Sequence, residues 1–214
     1  MKKKTLFILV TVIALVAILV YVFKDKLWTV YKGGLTQKEA VNKYDTLFSK
    51  HLEYIADGFD YPVGKPDGKG YYDAQPFTKN RHLGSDWNGS GGGNTDLGDP
   101  VYATANGYVT YAKDAGRGWG NIVRVIHRVP GKPNTYVESF YAHLDKIKVP
   151  EGAWLKRGDE LGTIGTAHGA YIAHLHFEIR DKPDMRIGPG YSTDTTGYLN
   201  PTRFIKGHRP TPGN

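Results

Sequence analysis

His174-Leu175-His176-Phe177-Glu178-Ile179-Arg180 alternates polar and apolar residues without a break. On a strand successive side chains point to opposite faces, so Leu175, Phe177 and Ile179 share one side while His174, His176 and Glu178 share the other. The apolar side can pack. The polar side sets two imidazoles next to each other on a half-buried strand, which points to metal binding or catalysis rather than to a solvated pair.

The second half of the chain repeats this strand character. Val101 to Ala105, Gly107 to Ala112, Asn121 to His127, Thr135 to Tyr141, Ile147 to Val149, Glu160 to Ile164 and Ala173 to Arg180 carry strand-type residues, with glycine turns between them. They predict a mainly β, antiparallel architecture. No glycine-rich phosphate loop leads a strand into a helix, and no repeat of solenoid length is visible. The 214 residues suffice for one domain of ordinary size and an appendage, and 4 Trp, 15 Tyr and 8 Phe supply a large core. There is no cysteine, which excludes a disulfide framework, a thiol nucleophile, a cysteine-ligated zinc finger and a lipid-modified cysteine. Any metal is left to His and carboxylate.

The net charge of +7 invites a nucleic-acid reading, but much of it sits at the start of the chain. Lys2, Lys3, Lys4, Lys24 and Lys26 flank an apolar run with only Asp25 opposing, and without residues 1–26 the chain has 23 basic against 20 acidic residues. The basic character is largely a membrane flank, and no nucleic-acid partner is expected. Thr5 to Phe23 is an uncharged run of about 19 residues, close to the roughly 20 a helix needs to cross a hydrocarbon core. It ends at Val20-Tyr21-Val22-Phe23 without the small-residue pattern of a cleavage site, so it reads as an uncleaved anchor. The lysines before it outweigh the flank behind it, which keeps the N-terminus in the cytoplasm and sends the rest across.

Beyond Gly33-Gly34, Thr36-Gln37-Lys38-Glu39 forms a capping box. Ala40, Val41, Tyr44, Leu47, Phe48, Leu52 and Ile55 then recur as a helical stripe, predicting an amphipathic helix over 36–57. The stripe can lie on the domain that follows or pair with a second copy; the oligomeric state is not legible. His51 beside it reads as a surface or packing residue. Pro62, Gly64, Pro66, Gly68, Gly70 and Pro76 break up the stretch from Gly58 to Asn80, marking entry to the main domain. The expected division is an anchor over 1–26, a tether and helix over 27–59, the main domain over 60–205 and a tail over 206–214.

Three polar sites stand out on the β scaffold. Arg81-His82-Leu83-Gly84-Ser85-Asp86 places a His and a carboxylate four apart in a stretch too glycine-rich for a helix; Tyr141-Ala142-His143-Leu144 ends an apolar strand on a histidine; the third is the His174/His176 strand. Two imidazoles and one carboxylate, with a position left for water, make the ligand set of a catalytic zinc site, whereas a structural site is closed by four protein ligands.

These motifs, in this order, resemble the lysostaphin-type zinc metallopeptidases that cut peptide cross-links in bacterial cell walls. The resemblance takes in Gly98-Asp99-Pro100-Val101-Tyr102-Ala103, Asn106-Gly107, Gly118-Trp119-Gly120-Asn121, the turns from Val149 to Gly152 and Lys156 to Gly158, and Leu199-Asn200-Pro201, spanning roughly residues 60 to 205. It implies a duplicated-hybrid-motif-like antiparallel β sandwich with an open groove, here preceded by a transmembrane helix and an amphipathic helix. It also implies that His82, Asp86 and His176 hold Zn2+, that His174 is the general base and that His143 stabilises the transition state, the two being able to trade. Glu178 is offered as a residue that orients a ligand. The substrate implied is a peptidoglycan peptide, cut outside the cytoplasmic membrane by an anchored domain.

This chain departs from the family between Asp86 and Gly98, where residues 87–97 form a longer link whose Asn94 or Asp96 could cap the metal, and at Thr166 to Ile172, where His168 has no assigned role. His127 and His208 match no motif and read as structural or solvated. A competing reading is a non-catalytic wall-binding module or an activator of another hydrolase, since relatives of this fold have lost metal ligands; all five polar positions are present here. A non-haem iron oxygenase also uses two His and one carboxylate, but with His-x-Asp or His-x-Glu spacing, unlike His82 and Asp86.

Overall fold

The computed structural model describes residues 43–116 and 118–210, all within the compact unit Val41–Asn214. Its strands are β1 Tyr71–Gln75, β2 Ser85–Gly89, β3 Pro100–Tyr102, β4 Gly107–Asp114, β5 Asn121–Arg128, β6 Tyr136–Leu144, β7 Trp154–Leu155, β8 Glu160–Thr163, β9 Leu175–Arg180 and β10 Tyr198–Leu199. Helix α1 covers residues 43–49 and α2 Pro201–Gly207. One eight-stranded antiparallel sheet runs β1-β2-β9-β6-β5-β4-β7, with β10 also paired to β9; β3 and β8 form a two-stranded sheet. The mainly β, antiparallel class expected from the sequence is what forms.

The alternating stretch lies in the middle of the large sheet. Leu175, Phe177 and Ile179 join Val123, Val125 and Tyr141 in the main core, to which β3 and β8 contribute Val101 and Leu161. Each such side chain stabilises the fold by about 1.5–3 kcal/mol through burial. His176, Glu178 and Arg180 lie on the other face, where Ala142, Phe140 and Glu138 of β6 stand directly opposite them. This face is not solvated as a half-buried strand would be: every residue of β9 is buried. The strand is also shorter than Ala173 to Arg180. His174 makes only a single bridge to Gly165, and the amide of Ala173 donates to Asn94 Oδ1 at 2.8 Å.

The cover over the second face comes partly from α1. Tyr44 and Phe48, one turn apart, are fully buried against Ile126 and Tyr136, and Phe48 meets Trp154 edge-on at 5.1 Å. The helical stripe thus finds its partner on the sheet. The helix is shorter than the span 36–57: its α-helical turns end at Ser49, a 3-10 turn over Leu52–Tyr54 follows, and Leu52 is 61% exposed. The chain has to leave the helical path there because the amide of Ala56 donates to Arg128 O at the edge of β5. The capping box and the apolar run over 5–23 lie outside the described residues. Among the described residues no helix is long and apolar enough to cross a membrane.

Candidate functional site

Four elements bring five polar side chains to one end of this face. Asp86 on β2 pairs with His176 on β9, which pairs with Ala142 on β6, while Gln75 on β1 stands beyond Asp86. The stretch from Ser85 to Gly89 is a strand, although Gly84 precedes it and Gly89 ends it, because it has hydrogen-bonding partners on both sides. Gly84 lets it come close: a Cβ there would sit 2.6 Å from Phe177 O and 3.0 Å from His176 Cε1. His82 precedes the strand, with its backbone bridged to Tyr191.

His143 reaches the site through a bulge. The register between β5 and β6 slips between Asn121 and Val123, and His143 takes φ +64°, a left-handed conformation uncommon outside glycine. The slip re-aims its ring toward His174 and His176, at centroid distances of 4.8 and 5.5 Å. His174 comes within 3.7 Å of Asp86 Oδ1 through its Nε2. Together with Trp119, Tyr171 and Tyr191 these groups line a cleft of about 280 Å³.

The hydrogen bonds fix the tautomers. His82 Nδ1–H donates to Gln75 O at 2.8 Å, His176 Nε2–H to Glu178 Oε1 at 2.9 Å, His143 Nδ1–H to Trp119 O at 3.2 Å and His174 Nδ1–H to Ile172 O at 2.8 Å. Each ring is tied through one nitrogen and offers the other's lone pair. His82 Nε2 and His176 Nδ1 lie 3.0 Å apart, with Asp86 Oδ1 3.3 Å from the first and 3.0 Å from the second. Neutral rings would leave three lone-pair atoms converging with no proton among them, an arrangement that calls for a cation. Burial opposes charge on His176, but hydrogen bonds to Asp86 and Glu178 outweigh it and pull its pKa up to about 9. Burial likewise works against ionised Asp86, yet His176 and His82 hold its carboxyl well below the usual range. Burial, then the charges of His176 and His174, push His143 down to about 3, so it is neutral at any working pH.

Two nitrogens and a carboxylate oxygen converging on one point, with the rings oriented by a carbonyl and a buried carboxylate, fit zinc. The profile of peptidase family M23 matches residues 81–189, a span that contains all five polar positions. The chain belongs to that family. Over 85 residues it is 40% identical to the lipoprotein NlpD of Yersinia enterocolitica, covering 40% of this chain and 80% of that one. The murein hydrolase activator NlpD of Escherichia coli (strain K12) is also 40% identical over 85 residues, but the match spans only 21% of its length. The structure of lysostaphin from Staphylococcus simulans superposes with a TM-score of 0.50 at 22% identity, over 70% of this chain and 54% of that one, a likeness of fold.

Within the M23 domain the link over 87–97 continues β2 and is then bonded back to the chain on both sides. Asn94 Oδ1 accepts from the amide of Ala173 and Asp96 Oδ2 from that of Gly89, and neither joins the cluster of His82, Asp86 and His176. His168 instead pairs with Asp114 at the end of β4, both side chains being exposed. His51 packs tilted against Trp154, His127 is buried, and His208 stacks on Phe204. Sequence reading missed Gln75, Tyr171 and Tyr191, whose place at the cleft depends on long-range pairing; Glu178, offered as a residue that orients a ligand, is buried and accepts from His176 Nε2–H.

Proposed function

We propose that this protein is a zinc metalloendopeptidase that hydrolyses peptide cross-links of bacterial peptidoglycan, with His82, Asp86 and His176 as the metal ligands. The observation that carries the reading is the convergence of His82 Nε2, His176 Nδ1 and Asp86 Oδ1 with both rings' N–H groups committed elsewhere. When bound there, zinc supplies a Lewis acid for the scissile carbonyl and lowers the pKa of water toward about 7. His174 is the general base: its Nδ1–H is committed to Ile172 O, which leaves its Nε2 lone pair facing the cleft to take the water's proton. The same ring then returns that proton to the leaving amine. His143, held neutral with Nδ1–H on Trp119 O, offers its Nε2 as an acceptor and stabilises the transition state by taking a hydrogen bond from the attacking water or the amine N–H. Trp119, Tyr171 and Tyr191 flank the reacting groups and limit water around the bound peptide.

The reading includes a duplicated-hybrid-motif-like sandwich over 60–205, with the two-stranded sheet as part of the second layer. It also includes the anchor over 1–26, which places the domain on the outer side of the cytoplasmic membrane, the tether and helix over 27–59 and the tail over 206–214. A second reading, an activator of another wall hydrolase, is favoured by the identity with the murein hydrolase activator NlpD. The two part in one experiment: mass spectrometry of fragments released from purified sacculi by the full chain alone, with and without a zinc chelator. New peptide ends that vanish with chelator support the endopeptidase and name its bond. Intact cross-links, with zinc bound, leave the activator.

A further inference from the structure

Behind the cleft, the sheet face that carries His176 holds charged side chains that none of these steps uses. Glu178, Arg180, Glu138 and Arg124 lie in sequence across β9, β6 and β5, alternate in sign and are all buried. Arg180 Nε donates to Glu178 Oε2 at 2.7 Å and its Nη1 to Glu138 Oε1 at 3.3 Å, while Arg124 Nη2 donates to Glu138 Oε2 at 2.6 Å. The run continues off the sheet. Glu138 Oε2 accepts the amide of Asp184 at 3.2 Å, and the Asp184 carboxylate accepts the hydroxyl of Tyr44, on α1, at 2.8 Å. From α1 to His176 each member touches the next.

Burying paired charges is no cheaper than filling the same space with apolar side chains, so stability alone does not account for the arrangement. Its geometric effect is specific. The Arg180 guanidinium lies over the Phe140 ring at 4.1 Å and is held by Glu138, which fixes its bond to Glu178 Oε2 and leaves Oε1 for His176 Nε2–H. That last bond turns His176 Nδ1 toward His82 and Asp86. Without the Glu138 charge, Arg180 and Arg124 would share a buried space with one counter-charge fewer, and the hold on Glu178 would loosen.

We propose that Glu138 is a positioning residue for His176, acting through Arg180 and Glu178, and that Tyr44, acting through Asp184, is the outer end of the same chain, so that the seating of α1 sets the orientation of this imidazole. The coupling runs through packed, hydrogen-bonded neighbours rather than across a gap. The consequence for zinc rests on the function proposed above; the consequence for the ring does not.

The test uses the full chain, metal-free and 15N-labelled at histidine, as wild type and as Tyr44→Phe, Glu138→Gln and the double variant. The buried His176 Nε2–H reports the ring directly by NMR, and zinc is titrated against a chromogenic chelator. The His176 resonances are expected to move in both single variants, farther in Glu138→Gln. Zinc binding should weaken several-fold in Tyr44→Phe and about 10- to 100-fold in Glu138→Gln, with the double variant no weaker than Glu138→Gln alone. A His176 ring that stays at its wild-type resonances in Tyr44→Phe overturns the proposal, even if the melting temperature falls. Tyr44→Phe deletes one hydroxyl and carries the test if Glu138→Gln does not fold. A wild-type chain that binds no zinc sinks the metalloendopeptidase reading, while the ring resonances still decide this one.

Discussion

His82 Nε2 and His176 Nδ1 face each other at 3.0 Å, each ring having its other nitrogen bound to a fixed acceptor. Asp86 Oδ1 completes the group and supplies its only negative charge at the point of convergence. Asp86→Asn keeps the size and removes the charge. Zinc affinity, measured by competition with a chelator, is expected to fall by more than about 100-fold. The far-UV circular dichroism should stay that of the wild type, because the strand pairing of β2 does not depend on the carboxylate. Wild-type zinc affinity in Asp86→Asn would remove it from the ligand set.

Gly84 tests how closely β2 must approach β9. A Cβ there meets the backbone oxygen of Phe177 and the His176 ring, neither of which can swing away. Gly84→Ala is expected to cost about 1–3 kcal/mol in urea unfolding and to weaken zinc binding along with it. Gly207→Ala at the end of α2, where nothing lies within 4 Å, serves as the control and should change neither by more than about 1 kcal/mol. Equal behaviour of the two variants would mean that the sheet accommodates the methyl group.

How much of this was legible in the sequence follows from how local each signal is. The β9 face assignment needed only alternation, so Leu175, Phe177 and Ile179 were placed in the core correctly. β2 was not read as a strand, because Gly84 and Gly89 lower its propensity and its support comes from β1 and β9, which are distant in sequence. The bulge that aims His143 leaves no mark in Tyr141-Ala142-His143-Leu144; it is set by pairing with β5. Alternation alone put Glu178 on the face of His176, but the link from Arg180 to Glu138 was not legible, because Glu138 lies on another strand and meets Arg180 only through register. The α1 stripe gave the packing residues Tyr44 and Phe48 but not the end of the helix, which is imposed by the edge of β5.

His143 and His174 are expected to separate chemistry from metal binding. Both offer a bare Nε2 to the cleft and neither belongs to the converging three. His174→Ala and His143→Ala should each retain zinc at wild-type stoichiometry. Cross-link hydrolysis should fall by about 10²- to 10⁴-fold, the range for losing a positioned proton-transfer group. Loss of zinc from either variant would place that ring among the ligands instead.

His127 provides a pH test of the fold away from the metal. It is fully buried, its Nδ1–H donates to Asn106 O at 2.9 Å and its Nε2 accepts from the Ser139 hydroxyl at 2.7 Å. Burial pushes its pKa down to about 4, against about 6.5 in an unfolded chain. Between these values the unfolded state binds the extra proton and the folded state does not. Stability therefore rises with pH through this window, and as pH falls from about 6.5 to about 4 the ring removes roughly 3 kcal/mol. Urea unfolding at pH steps across the window, compared with His127→Gln, isolates this contribution, since every other titrating group is common to both chains. The variant should be less stable at pH 7 but flatter toward acid, so the two curves converge; curves that stay parallel would show that His127 is protonated in the folded state as readily as in the unfolded one.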